Sequence, residues 1–148
     1  MIQIIKATKE NLDQLVPLFD QYRVFYRQPS DLSKAKDFLS NRFEHNESII
    51  FLAFYNEEPA GFTQLYPMFS SVSMQRSFVL NDLFVHPNYR KNMIGAKLLE
   101  RAKEYCIEKN AKGLTLETST DNPAQKLYEK LGWQKDIDCF HYFWSSSE

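Results

Sequence analysis

Between residues 76 and 118 the chain places a strand, a helix and a second strand in unbroken succession. "RSFVLNDLFV" (76–85) and "KGLTLET" (112–118) read as β-strands. Between them Ile94, Leu98, Leu99, Ala102, Cys106 and Ile107 recur at helical spacing over about 94–109. A helix between two strands returns the chain to the starting edge of the sheet, so the strands run parallel and the crossover is right-handed. Just upstream, "SIIFLAFY" (48–55), "AGFTQLYPMF" (60–69) and residues 76–85 are joined only by the short links "NEEP" and "SSVSMQ". Three strands so joined form an antiparallel meander. A chain carrying both features must build a mixed sheet flanked by helices.

The remaining segments fit that frame. "MIQIIKA" (1–7) opens as a strand and Thr8 is placed to cap a helix marked by Leu12, Leu15, Val16, Leu18, Phe19, Tyr22 and Phe25 or Tyr26. Ser30 is expected to cap the next, with Leu32, Ala35, Phe38, Leu39, Arg42 and Phe43 at helical spacing. "PAQKLYEKLG" (123–132) is a short helix stopped by Gly132, and "WQKDIDCFHYFW" (133–144) supplies a closing strand. No repeat or linker divides the chain. The expectation is one α/β (α+β) domain over 1–148, with an antiparallel N-terminal meander, a parallel C-terminal β-α-β unit and about four helices.

Composition narrows the function classes. A chain of 148 residues with 43% hydrophobic and 25% charged residues is an ordinary globular protein. A net charge of -1 gives no general attraction to nucleic acid or anionic membrane, so a basic site must be local. No stretch has the apolar length of a signal peptide or a membrane span, which makes the cytoplasm the expected location. Cys106 and Cys139 read as small buried thiols. His45, His86 and His141 have no metal-ligand spacing, so no metal is expected.

The handover from strand to helix, "VHPNYRKNMIGAKLL", breaks at His86-Pro87 and sets Arg90, Lys91 and Asn92 just ahead of the helix. A helix N-terminus offers unpaired N–H groups and partial positive charge, and Gly95 permits close approach. The segment therefore suits a phosphate. An ordinary turn with solvated Arg and Lys accounts for the same residues equally well.

Beyond spacing, "VHPNYRKNMIGAKLL" resembles the acetyl-CoA-binding motif of the GNAT superfamily of N-acetyltransferases at Val85, Pro87, Tyr89, Arg90, Ile94, Gly95 and Leu98-Leu99. "DNPAQKLYEKLGW" resembles the superfamily's second signature at Ala124, Leu127, Tyr128, Gly132 and Trp133. Two positions depart. Met93 replaces the first glycine of the pyrophosphate loop, so its side chain must be steered away from the phosphates. The expected Asn falls on Asp121, leaving Asn122 to take that role. "LNDLFV" is further similar to the diamine and thialysine acetyltransferase branch, with Asp82 kept and Asn81 in place of a Glu.

The resemblance implies acetyl-CoA as co-substrate, held by Leu83, Phe84 and Val85 of a splayed strand, by the loop Arg90, Lys91, Asn92, Met93, Ile94, Gly95 and Ala96, and by Asn122 and Tyr128. It implies direct acetyl transfer to a primary amine in a ternary complex. Tyr128 would be the general acid at the sulfur, with a phenol near pKa 10, and Asp82 the candidate base. Packing is the other account of Tyr128, and a structural carboxylate that of Asp82. Strand alternation puts Asn81 and Asp82 on opposite faces. Tyr22, Tyr26, Gln64 and Tyr66, with Asp82, are the candidate acceptor pocket for a small-molecule or peptide amine. A homodimer is expected. The competing function is a catalytically silent acyl-CoA-binding module.

Overall fold

Thr8 leaves the first strand in extended backbone (φ -124°, ψ 178°), and its hydroxyl accepts the Glu10 N–H while its own N–H donates to Asn11 Oδ1. This reciprocal cap opens a 3-10 turn (Lys9–Asn11) that leads into the first helix. The computed structural model describes residues 1–147. In chain order the elements are β1 (Ile2–Lys6), α1 (Leu12–Phe25), α2 (Leu32–Glu44), β2 (Ile49–Tyr55), β3 (Glu58–Ser70), β4 (Gln75–Val85), α3 (Ile94–Glu108), β5 (Leu114–Thr115) and α4 (Ala124–Lys130). They fall into two compact units, Met1–Glu117 and the residues from Thr118 onward.

The first unit is the expected mixed sheet, in the order β1-β2-β3-β4-β5. Strands β1 to β4 are antiparallel neighbours, and β5 lies parallel to β4 after the α3 crossover. Leu52 pairs with Phe62 and Phe51 with Thr63, so these adjacent pairs point to opposite faces. Phe62 belongs to the core that Leu15, Leu18, Phe19 and Leu39 of α1 and α2 complete. Phe51 and Phe78 meet the Tyr105 ring of α3 at 5.6 and 5.4 Å. The two faces are thus covered by α1/α2 and by α3.

Three local expectations change. Ser30 does not cap α2. Asp31 does, accepting the Lys34 N–H at 3.0 Å, while Ser30 Oγ donates to the buried Asp20 carboxylate at 2.6 Å and the Asp31 N–H donates to it at 2.8 Å. Asp20 needs those partners because a buried carboxylate left unpaired is costly. The strand over 112–118 shortens to Leu114–Thr115. In β4 the register slips, with Gln64 opposite Asp82 and Leu65 opposite Leu80, so Asn81 is the extra residue of a β-bulge.

In the second unit α4 closes where Gly132 stands, at φ +92°. Trp133 N–H reaches back to Tyr128 O at 3.0 Å and Gly132 N–H to Glu129 O at 3.1 Å, a pairing that stops a helix on a left-handed residue. The closing strand expected at 133–144 is not formed among the described residues. A strand exists only through a ladder partner, and this segment pairs with none. Beyond the half-buried Trp133 its apolar side chains stay exposed, from Ile137 at 81% to Tyr142 at 93%. Cys139, expected buried, is exposed for the same reason. Cys106 is buried as expected, with its thiol pushed up to about 11 by burial.

Candidate active site

The end of β4 is where the first unit leaves its backbone open. β5 lies beside β4 only at Phe78 and Val79, so within that unit the same edge carries no strand from Leu80 to Val85. Past Val85, a 3-10 turn (Pro87–Tyr89) is capped by His86, whose Nδ1 accepts the Asn88 N–H at 3.1 Å. Tyr89 sets its ring 5.6 Å from Tyr55 of β2. Arg90 Nε donates to Val85 O at 3.0 Å and its guanidinium lies 6.0 Å from the Phe84 ring centre. Asn92 Nδ2 donates to Tyr89 O and Arg90 O. The basic corner is therefore a tied loop, with Arg90 and Asn92 as two of its ties.

That loop ends in the feature the sequence marked as irregular. Met93 is the N-cap of α3 with φ +64° and ψ +17°, a left-handed conformation, and Lys91 also has positive φ, at +67°. The position held by glycine in the resembled motif keeps a glycine-like backbone, at a cost of about 1–2 kcal/mol for a residue with a Cβ. The Met93 side chain is 71% exposed. Met93 offers no side-chain cap, and the first turn of α3 holds no acidic residue. The first N–H groups of a helix have no intrahelical acceptor, so those of Ile94, Gly95 and Ala96 point out of an uncapped, electropositive terminus. An anion fits there.

The second centre lies on the α1/α2 face. Asp82 is 3% exposed and Gln64 fully buried. Gln64 Nε2 donates to Asp82 Oδ2 in a short contact, and Asn81 Nδ2 donates to Oδ1 at 2.9 Å. Thr63 Oγ1 donates to the Asp82 carbonyl at 2.8 Å. The Tyr22 hydroxyl donates to the Asn81 carbonyl at 3.2 Å, next to the Asp82 carboxyl whose titration it influences. Gln64 Oε1 has no hydrogen-bond partner among the described residues despite its burial. Burial raises the Asp82 carboxyl above its ordinary value, against the hydrogen bonds from Gln64, Asn81 and Tyr22 that lower it. Burial and then the Asp82 charge raise Tyr22 too, and push Tyr66 up to about 12. Tyr22 also packs edge-on against Tyr26, Phe62 and Phe84, with Tyr26 48% exposed at the outside.

The candidate acceptor residues Tyr22, Tyr26, Gln64, Tyr66 and Asp82 thus form one neighbourhood. The bulge removes the expected opposition of Asn81 and Asp82, since consecutive side chains now bond to each other. Thr63 was not singled out from sequence; a hydroxyl inside an apolar strand run is its only sequence signal. Gly61 also passed unnoticed. A Cβ there would sit 2.6 Å from the Phe84 carbonyl oxygen, so glycine sets the close approach of β3 to the end of β4.

In the second unit, Asn122 Oδ1 accepts the Ala124 N–H at 2.9 Å and so serves the start of α4. The Tyr128 ring lies 6.1 Å from that of Trp133, across the helix stop described above.

Comparison with known proteins places this architecture. Residues 12–133 match the profile of the Acetyltransferase (GNAT) family. An uncharacterized N-acetyltransferase of Bacillus subtilis (strain 168) is 49% identical over 142 residues, covering 95% of both chains. A probable acetyltransferase of Haemophilus influenzae is 32% identical, over 86% of this chain and 97% of that one. A crystal structure of a probable acetyltransferase superposes with a TM-score of 0.93 at 40% identity, covering 99% of both.

Proposed function

This chain belongs to the Acetyltransferase (GNAT) family, and from that membership we propose that it is an acetyl-CoA-dependent N-acetyltransferase acting on a primary amine by direct transfer in a ternary complex. The observation that carries the proposal is the uncapped, acid-free N-terminus of α3, reached through a loop whose Met93 keeps a left-handed backbone. In this reading the N–H groups from Lys91 to Ala96 hold the pyrophosphate, and the open edge Leu83-Phe84-Val85 receives the pantetheine arm. Lys91 adds charge outside. Arg90 and Asn92 act by fixing the loop. By the sequence likeness of the second signature, Asn122 is also assigned to the cofactor.

Acetyl-CoA supplies an activated acyl carbon on a good leaving thiolate. The amine forms the new C–N bond as the C–S bond breaks, giving up a proton while the thiolate gains one. Tyr22, Tyr26, Gln64 and Tyr66 receive the amine. Asp82 accepts its proton, directly or through the Tyr22 hydroxyl. A carboxyl raised by burial holds a proton more readily than an exposed one and is the better base near neutral pH. Tyr128 supplies the thiolate's proton, and its support is the sequence likeness of the second signature.

The likeness of "LNDLFV" to the diamine and thialysine branch favours a small alkylamine over a peptide terminus. The same reading takes the two units as one acetyltransferase domain in a cytoplasmic homodimer. The exposed apolar side chains of Phe25, Tyr26 and Leu32 favour a partner copy. The rival reading, a silent acyl-CoA-binding module, draws on the near-complete burial of Asp82. Thiol release from acetyl-CoA across a panel of alkyl diamines, amino acids and peptides decides between them. Acetyl-CoA binding without amine-dependent thiol release would favour the silent module, and no acetyl-CoA binding would remove both.

A further inference from the structure

A cleft of about 1000 Å³ opens at the far end of the sheet, away from the α3 N-terminus. It forms because β3 and β4 overrun their neighbour. β2 begins opposite Leu65, whereas β3 continues paired with β4 to Ser70. The overhang, the end of β1 and the last turn of α2 wall the space, with Pro67, Phe69, Phe78 and Tyr105 as its apolar surfaces. Pro67 lacks an N–H, which makes this edge a poor template for an added strand. The cleft is built for a small ligand.

Its polar lining has one sign in excess. Lys6, Lys9 and Arg76 line it against the single carboxylate of Glu44, in a protein whose net charge is -1. Among the described residues none of the three cations belongs to an ion pair. Lys6 Nζ stands 5.4 Å from the Tyr105 ring centre and the Arg76 guanidinium 5.4 Å from that of Phe69, so aromatic faces are the contacts seen for them. Ser48 Oγ, also in the lining, is shielded from solvent and has no hydrogen-bond partner among the described residues. Unpaired cations and an unpaired buried hydroxyl in one cleft are the complement of an anion with several acceptor oxygens.

We propose that this cleft is a second binding site, which takes a small phosphate monoester with an aromatic or apolar body. Arg76 and Lys6 hold the phosphate, Ser48 donates to it, and the body lies against Phe69 and Phe43. The site is separate from the acyl-acceptor cluster. Pro67, Phe78 and Tyr105 line it from the α3 side and Phe43 and Glu44 of α2 from the other, at the end of the sheet, and none of Tyr22, Tyr26, Gln64, Tyr66 and Asp82 is in its lining.

The test is calorimetric titration of the wild-type protein with phenyl phosphate, first alone and then with acetyl-CoA in excess. Saturable binding of one phenyl phosphate in both conditions is expected, with inorganic phosphate at least tenfold weaker because it lacks the body. Arg76→Gln and Ser48→Ala should each weaken phenyl phosphate at least fivefold and leave acetyl-CoA affinity unchanged. Absence of saturable binding, competition by acetyl-CoA, or indifference to both substitutions would each overturn the proposal. Failure of acetyl-CoA to bind would count against the acetyltransferase reading and leave the phenyl phosphate result to be judged alone.

Discussion

Asn81 donates from Nδ2 to Asp82 Oδ1 at 2.9 Å although the two are consecutive in one strand. The bulge opposite Gln64 makes this possible by adding a residue to β4 and turning Asn81 toward its neighbour. Bulges re-aim side chains next to active sites, and here the result is a buried carboxyl held by the side-chain amides of Gln64 and Asn81.

The Asp82 carboxyl should leave a mark on stability against pH. Its native value is raised above the ordinary 3.8, so the folded state binds the proton more tightly than the unfolded one. Its contribution is then complete below about 3.8 and is lost as pH rises through the native value. In denaturant titrations from pH 4 to pH 7, the wild type should lose stability relative to Asp82→Asn. A pH-independent difference would mean that the buried carboxyl titrates normally. Asp82→Ala should cost about 1–3 kcal/mol throughout, because Gln64 and Asn81 lose their acceptor. If Asp82 is the base, Asp82→Asn also lowers kcat/KM about 100-fold.

At Met93 the left-handed backbone sets the expectation. Met93→Gly removes a strain of about 1–2 kcal/mol and adds an ordering cost of about 0.5–1 kcal/mol. The net should be a gain of up to about 1.5 kcal/mol in unfolding free energy, read from denaturant titration, with acetyl-CoA affinity kept. Met93→Ile, β-branched at a positive φ, should lose about 1 kcal/mol or more. Equal stabilities for the three proteins would show that the loop relaxes out of this conformation.

Tyr128→Phe keeps the ring that packs on Trp133, and its melting temperature, measured beside turnover, separates a folding effect from a catalytic one. Amine-dependent thiol release should fall about 100-fold if the phenol transfers a proton. Unchanged turnover would return Tyr128 to packing. Gly132→Ala provides the contrast, since a φ of +92° should cost about 1–3 kcal/mol through the helix stop.

Gly61→Ala brings a Cβ to 2.6 Å from the Phe84 carbonyl oxygen, a backbone atom with little freedom to move. The strands must separate near Val85, at about 1–3 kcal/mol as in other overpacked sites. Acetyl-CoA affinity should fall as well, because that strand end leads into the loop ahead of α3. Wild-type stability and affinity together would show that β3 yields without disturbing its neighbour.

Most of the fold was legible in the residues themselves. The meander, the α3 crossover and the three longer helices depend on periodicity, capping and short links, all of which act between residues close in sequence. Gly132 could be read as a stop because the left-handed conformation it adopts is a local requirement. The candidate acceptor residues were named from residue type and resemblance. Their arrangement belongs to tertiary structure: the Asn81 bulge is a matter of register between β3 and β4, which alternation within one strand does not contain. Ser30 was misread because Asp20, ten residues earlier, competes for its hydroxyl once α1 is buried. The 133–144 segment has strand composition, yet composition provides no partner, and without a ladder its backbone forms no strand. The far cleft has the same origin, since it exists only because β3 and β4 outrun β2. Sequence decided what each segment prefers, and pairing over long distances decided which preferences were met.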